Sequence, residues 1–121
     1  MRFPKKSSRF VFTNQNTSIK MIKHIVCFKI KDEAEGKSKA DNIAIMTELL
    51  LSLKNKLPML KSLEVGKNSP LADASNFDVA LITTFDSMND LNNYQVHPEH
   101  KKVAEFIGKI RESRACIDFE Y

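Results

Sequence analysis

The chain has 121 residues, 42% hydrophobic and 28% charged, with a formal net charge of +4, proportions that suit one ordinary globular domain. No apolar run approaches the ~20 residues that a membrane-spanning helix requires. Five of the basic groups (Arg2, Lys5, Lys6, Arg9 and Lys20) fall in the first 21 residues with no acid among them, leaving 14 basic against 15 acidic groups in residues 22–121, so the domain lacks the basic footprint of a nucleic-acid binder.

Residues 1–20 are polar and basic, and Phe3, Phe10, Val11 and Phe12 make too short a core for a secretory signal. They lack the arginine-rich amphipathic pattern of a transit peptide. We read them as a basic N-terminal extension, flexible unless something holds it, ahead of a domain spanning residues 21–121.

Met21 to Ile30 alternates with apolar groups on both faces: Ile22, His24, Val26, Phe28 and Ile30 on one, Ile25 and Cys27 on the other. β-branched and aromatic residues make it a strand, and the two apolar faces mean that both are covered. Ser38 to Leu57 is a helix, with Ile43, Met46, Leu50, Leu53 and Leu57 at steps of 3, 4, 3 and 4. Ser38 with Asp41 resembles a capping box, and Pro58 stops the helix. Lys61 to Lys67 sets Leu63 and Val65 against Ser62, Glu64 and Gly66, the pattern of a half-exposed edge strand. Pro70, Asp73, Ser75 and Asn76 mark the loop of a hairpin.

Phe77 to Phe85 is apolar on both sides, with Phe77, Val79, Leu81 and Phe85 facing one way and Ala80 and Ile82 the other. It is a central strand. Ser87 with Asp90 opens a short helix bearing Leu91 and Tyr94; Pro98 suits the first turn of the next helix, whose apolar face is Val103, Phe106, Ile107 and Ile110. Ala115 to Tyr121 closes the chain as an alternating strand. Cys27 and Cys116 have no CxxC spacing and read as small core residues of a reducing, cytoplasmic compartment, although they become neighbours if the first and last strands pair.

The order β-α-β-β-α-β predicts an α+β, ferredoxin-like fold. Right-handed crossovers give a four-stranded antiparallel sheet of order 4-1-3-2 with both helices on one face. No element remains for the other face of two doubly apolar central strands. A second copy packed sheet against sheet covers it most economically.

The opening KHIVCFKIKDE (Lys23–Glu33), SLEVGKN (Ser62–Asn68), FDVALITTFDS (Phe77–Ser87), the Tyr94-x-x-His97-Pro98-x-His100 element and the closing CIDFEY stand in the order and spacing of a known family. The chain resembles the stress-responsive dimeric α/β-barrel (Dabb) domain proteins over Met21 to Tyr121. That resemblance implies a homodimer whose two sheets form a barrel with helices outside, and most such proteins have no assigned reaction. The best understood resemble plant polyketide cyclases, which close a ring by aldol condensation without a cofactor, in a pocket between sheet and helices. Their working tyrosine and histidine match Tyr94 and His100, and a histidine in their first strand matches His24. A further pocket histidine of the cyclases falls where this chain has Val79.

The resemblance thus offers His100 and Tyr94 as catalytic candidates, and His24, Val26, Phe28, Val79 and Leu81 as a ligand pocket. If His100 faces inward near Tyr94, its imidazole can take a proton from an activated carbon while the phenol hydrogen-bonds the developing enolate. The plainer reading gives the histidines structural work: His97, ahead of Pro98, is placed to cap a helix, and the whole element can serve as the turn between two helices. A three-histidine metal site requires His24, His97 and His100 to converge, and no metal or other cofactor is expected. The three glycines form no phosphate loop, and GxSxG, HExxH and paired-carboxylate motifs do not occur. Two readings remain: a small dimeric protein that binds an apolar ligand without turnover, and a cofactor-independent enzyme of the cyclase type or, further off, a cofactor-free monooxygenase.

Overall fold

The computed structural model describes residues 20–121; the basic extension expected at residues 1–20 therefore lies, up to residue 19, outside the described residues. The domain opens with β1 (Ile22–Ile30), turns through a hairpin of β2 (Glu33–Ala34) and β3 (Lys37–Ser38), and enters α1 (Lys39–Ser52), which ends in a 3-10 turn over Leu53–Asn55. It continues through β4 (Ser62–Lys67), β5 (Val79–Phe85), α2 (Met88–Val96), α3 (Pro98–Ile110) and β6 (Arg111–Glu120). Apart from the β2–β3 hairpin, this is the expected βαββαβ order.

The four long strands form one antiparallel sheet in the order β4–β5–β1–β6, which is the expected 4-1-3-2 arrangement read from the β4 edge. Residues directly opposite in antiparallel strands share a face, so the register assigns each side chain to a layer. Ile22, Val26, Phe28 and Ile30 of β1 and Val79, Leu81 and Phe85 of β5 are buried with Met46, Leu50 and Leu53 of the α1 arm and Val103, Ile107 and Ile110 of α3. The opposite face carries Ile25 and Cys27 of β1, Ala80 and Ile82 of β5, and Ala115, Ile117 and Phe119 of β6. Its central residues are only half-buried, and Ile117 and Phe119 are 59% and 39% exposed.

Local chemistry explains the boundaries. Ser38 Oγ accepts from Asp41 N at 3.2 Å and Ser87 Oγ from Asp90 N at 3.1 Å, so both predicted N-caps satisfy an orphan donor of the first turn. His97 does the same for α3: its Nδ1 accepts from Glu99 N at 3.1 Å, with Pro98 in the first turn. The β2–β3 hairpin left too short a pattern to be seen beforehand; it turns through Glu35 and Gly36, both at positive φ, and the buried Asn42 of α1 donates to Ala34 O at 2.9 Å to hold it down.

Three expectations need adjusting. β5 begins at Val79 rather than Phe77, because Asp78 turns its carboxylate to accept from Ile30 N at 2.8 Å and to meet Lys39 at 3.4 Å; Phe77 is left 40% exposed. β6 starts four residues earlier than Ala115, directly from the end of α3. Cys116 is exposed rather than part of the core, since β6 is an edge strand. Cys27 and Cys116 do lie on adjacent strands, but Cys116 is opposite Val26 and Cys27 opposite Ala115, so the thiols point to opposite faces and both are free.

The Ser87 cap anchors the helix that carries Tyr94. Replacing Ser87 with Ala should lower unfolding free energy by about 1 kcal/mol, read as a reduced denaturation midpoint with an unchanged denaturant slope.

Candidate active site

Between the sheet and the helices lies a cavity of about 290 Å³. Its apolar wall comes from Val26 and Phe28 of β1, Leu81 of β5, Leu50 of α1, and Val103 and Ile107 of α3. His24, Gln95, His100, Arg111 and Arg114 supply its polar groups. Of the residues singled out from sequence, His24, Val26, Phe28, Leu81 and His100 border this space. Val79 belongs to the packed core and Tyr94 lies against the site without lining the cavity.

Strand alternation turns His24 into the helix-facing layer, where it is only 2% exposed. A buried imidazole needs a partner, and the β1–β6 register sets Asp118 directly opposite. His24 Nδ1 hydrogen-bonds Asp118 Oδ1. A carboxylate only accepts, so Nδ1 holds a proton, and Nε2 is the ring nitrogen left to face the site. Cys116, on the same side of β6, brings its sulfur within 3.6 Å of His24 Nδ1 and 3.7 Å of Asp118 Oδ1. Burial, reinforced by the Asp118 charge, pushes the Cys116 thiol up from its ordinary pKa, which disfavours the reactive thiolate.

His100 sits in the first turn of α3, and its Nδ1 lies 3.1 Å from Gln95 O. A carbonyl oxygen accepts only, so this ring too is held with its proton on Nδ1 and Nε2 open when neutral. Burial lowers the pKa of His100 below 6.5, opposed by the Gln95 hydrogen bond and assisted by the proximity of His24, of the Arg114 cation and of His97. The ring is therefore a neutral proton acceptor at physiological pH.

Tyr94 is wholly buried, its ring centroid 4.4 Å from that of His100, 5.0 Å from Phe85 and 6.4 Å from His24. The structure thus gathers Tyr94, His100 and His24 into one cluster. Tyr94 and His100 meet ring against ring, and the phenol oxygen has no hydrogen-bond partner among the described residues. Desolvation pushes the phenol pKa up to about 12, so it stays a neutral donor.

His97 is engaged as the α3 cap, so the three histidines do not converge on one point. The donor atoms that do converge are one each from His24, Cys116 and Asp118, within 4.8 Å of one another. These ligand types suit a zinc-class ion, although the His24–Asp118 hydrogen bond occupies the edge that such an ion would have to open. Asp118, Cys116 and the two arginines were not singled out from sequence. Their signal was the alternation Arg114, Cys116, Asp118, Glu120 along β6, which acquires meaning only once the register with β1 is known.

The βαββαβ sheet with a cavity on its helical side defines a ferredoxin-like α+β protein. The sequence pattern of the family described as "Stress responsive A/B Barrel Domain" (Dabb) matches residues 22–121, and the chain belongs to that family. It is 29% identical over 101 residues to the stress-response A/B barrel domain-containing protein DABB1 of Arabidopsis thaliana, covering 82% of this chain and 46% of that protein; it thus spans less than half the length of this relative. Among solved structures, it is similar to a dimeric protein of unknown function and ferredoxin-like fold from Bacteroides fragilis, at 32% identity and TM-score 0.71, covering 84% of this chain and 96% of that one. The hydroxynitrile lyase of Passiflora edulis shares the fold at 20% identity and TM-score 0.73, covering 86% and 95% of the two chains.

Two measurements check the site's chemistry. A buried, unpartnered hydroxyl costs desolvation without return, so Tyr94→Phe should raise stability by about 1 kcal/mol while removing any function that uses the phenol. Because the folded-state pKa of His100 is depressed, the unfolded chain takes the proton first as pH falls. The associated stability is complete above pH 6.5 and is lost below it; His100→Gln should flatten the fall in melting temperature between about pH 7 and 5.

Proposed function

We propose that this protein works as a homodimer that holds a small, largely apolar molecule in the cavity between sheet and helices. The observation that carries this reading is the cavity itself: a wall of Val26, Phe28, Leu50, Leu81, Val103 and Ile107 interrupted by a few placed polar groups, the usual make-up of a small-molecule site. The dimer follows from the other side of the sheet. Ile25, Ile82, Ile117 and Phe119 form a continuous apolar surface there, which is unfavourable in water, and the related Bacteroides fragilis protein is described as dimeric.

A second reading, cofactor-independent proton-transfer catalysis on a carbonyl compound, is favoured by one specific observation. His24 is fixed by Asp118 and His100 by Gln95 O, so both rings offer Nε2. In an aldol-type ring closure of the polyketide-cyclase kind, His100 removes the proton from the activated carbon, and the Tyr94 phenol, which lies behind the cavity wall, can donate to the enolate oxygen only if the substrate reaches past the His100 ring. Val79 in place of the cyclases' strand histidine argues for a different substrate. The Passiflora edulis hydroxynitrile lyase illustrates that this fold supports catalysis, and a cofactor-free monooxygenase is the remoter alternative. The site calls for no cofactor in either reading. For location, no described helix is long and apolar enough to cross a membrane, and a cytoplasmic setting is the one we propose.

Sedimentation equilibrium should give a dimer, and Ile25→Asp combined with Ile117→Asp should convert it to monomer. Native mass spectrometry of the gently purified protein should show a bound small molecule that Leu81→Trp, by filling the cavity, displaces. A monomeric wild-type chain removes the dimer; a ligand unaffected by Leu81→Trp removes the cavity as its site. Against carbonyl substrates, His100→Ala should lower turnover at least a hundredfold if the protein is an enzyme, and binding without turnover selects the first reading.

A further inference from the structure

The charged part of the cavity wall is one-sided. Among its twelve lining residues, Arg111 and Arg114 alone carry a permanent charge, and no carboxylate lines the space. Neither arginine forms an ion pair among the described residues, and residues 1–19 contain no Asp or Glu that could supply a partner. Of the acids that follow Arg114 in its β6 row, Asp118 is already engaged by His24 and Glu120 by Lys20.

Arg111 has a partial structural explanation, since it caps the carboxyl end of α3, where a cation complements the helix dipole. Arg114 has none. It stands on the helix-facing side of β6 opposite Phe28, itself a wall residue, and close enough to lower the proton affinity of His100. Two guanidinium groups in the wall of a space that is otherwise lined by apolar and uncharged polar side chains suit a planar anion, because the guanidinium fork matches carboxylate geometry.

We propose that the cavity takes a molecule with an apolar body and an anionic head group, a monocarboxylate of medium length, held head-first at Arg111 and Arg114 with its tail against Val26, Phe28, Leu81 and Val103. This inference rests on the cavity being a ligand site. A space of about 290 Å³ lies at the small end of the range for small-molecule sites, which suits a ligand no larger than a medium-length fatty acid or an aryl-acetic acid.

The test titrates the full-length protein with octanoate, octan-1-ol and octylamine, matched in length and differing in the head group, by calorimetry and by displacement of an uncharged environment-sensitive dye. Octanoate should bind at least about tenfold more tightly than octan-1-ol, and octylamine most weakly. Arg114→Leu should reduce the octanoate-to-octanol ratio, Arg111→Leu combined with Arg114→Leu should bring it close to one, and Arg114→Lys should retain part of the preference; thermal melts verify that each variant is folded. Equal affinity of the wild type for octanoate and octan-1-ol, or a preference that survives undiminished in the Arg111→Leu, Arg114→Leu double variant, overturns the anionic head group and leaves the apolar cavity standing. No binding of any of the three, nor of the dye, overturns the cavity reading and this inference with it.

Discussion

The two-sided character of β1 organises the rest of the molecule. A strand with Ile22, Val26, Phe28 and Ile30 on one side and Ile25 and Cys27 on the other can only sit in the middle of a sheet with both faces sheltered. Its neighbours β5 and β6 bond to its two edges, and the helices settle on the side with the larger apolar side chains. Every polar group placed in that layer then has to find its partner within it. His24 is the case that matters, because its burial makes the opposing residue of β6 a structural necessity as well as a chemical opportunity.

The fold was legible because it rests on periodicities longer than one element. The 3- and 4-residue steps from Ile43 to Leu57, the Ser38 and Ser87 caps, and the alternation of β1 and β5 are each local signals with a direct physical cause. They agree with one another, and agreement across levels is what singles out a topology. The β2–β3 hairpin escaped because two-residue ladders have no period; Gly36 was its trace. The start of β5 moved because Asp78 made a tertiary hydrogen bond to Ile30 N, which no window of sequence contains.

The cluster was legible only in its separate members. Tyr94, His100 and His24 could each be named from the family resemblance, and the fold brings them together. What holds the imidazoles in place could not be read, because Asp118 lies 94 residues from His24 and Gln95 contributes only its backbone oxygen. The cyclase resemblance placed a strand position of the pocket at Val79, which here belongs to the packed core. Tyr94 illustrates the tension between folding and use: its ring fills the core beside Phe85 while its hydroxyl is left without a partner, a local imperfection of the kind that functional groups retain.

The opposed orientation of Cys27 and Cys116 also bears on how the molecule meets an oxidant. A disulfide requires the two Cβ atoms to approach within about 4.5 Å and face one another, and side chains on opposite surfaces of one sheet do neither. Oxidation can therefore join the accessible Cys116 to a second molecule or to a small thiol such as glutathione, but it cannot staple a subunit internally. Covalent linkage under air would accordingly report on encounters between molecules and leave the architecture of each one as it was.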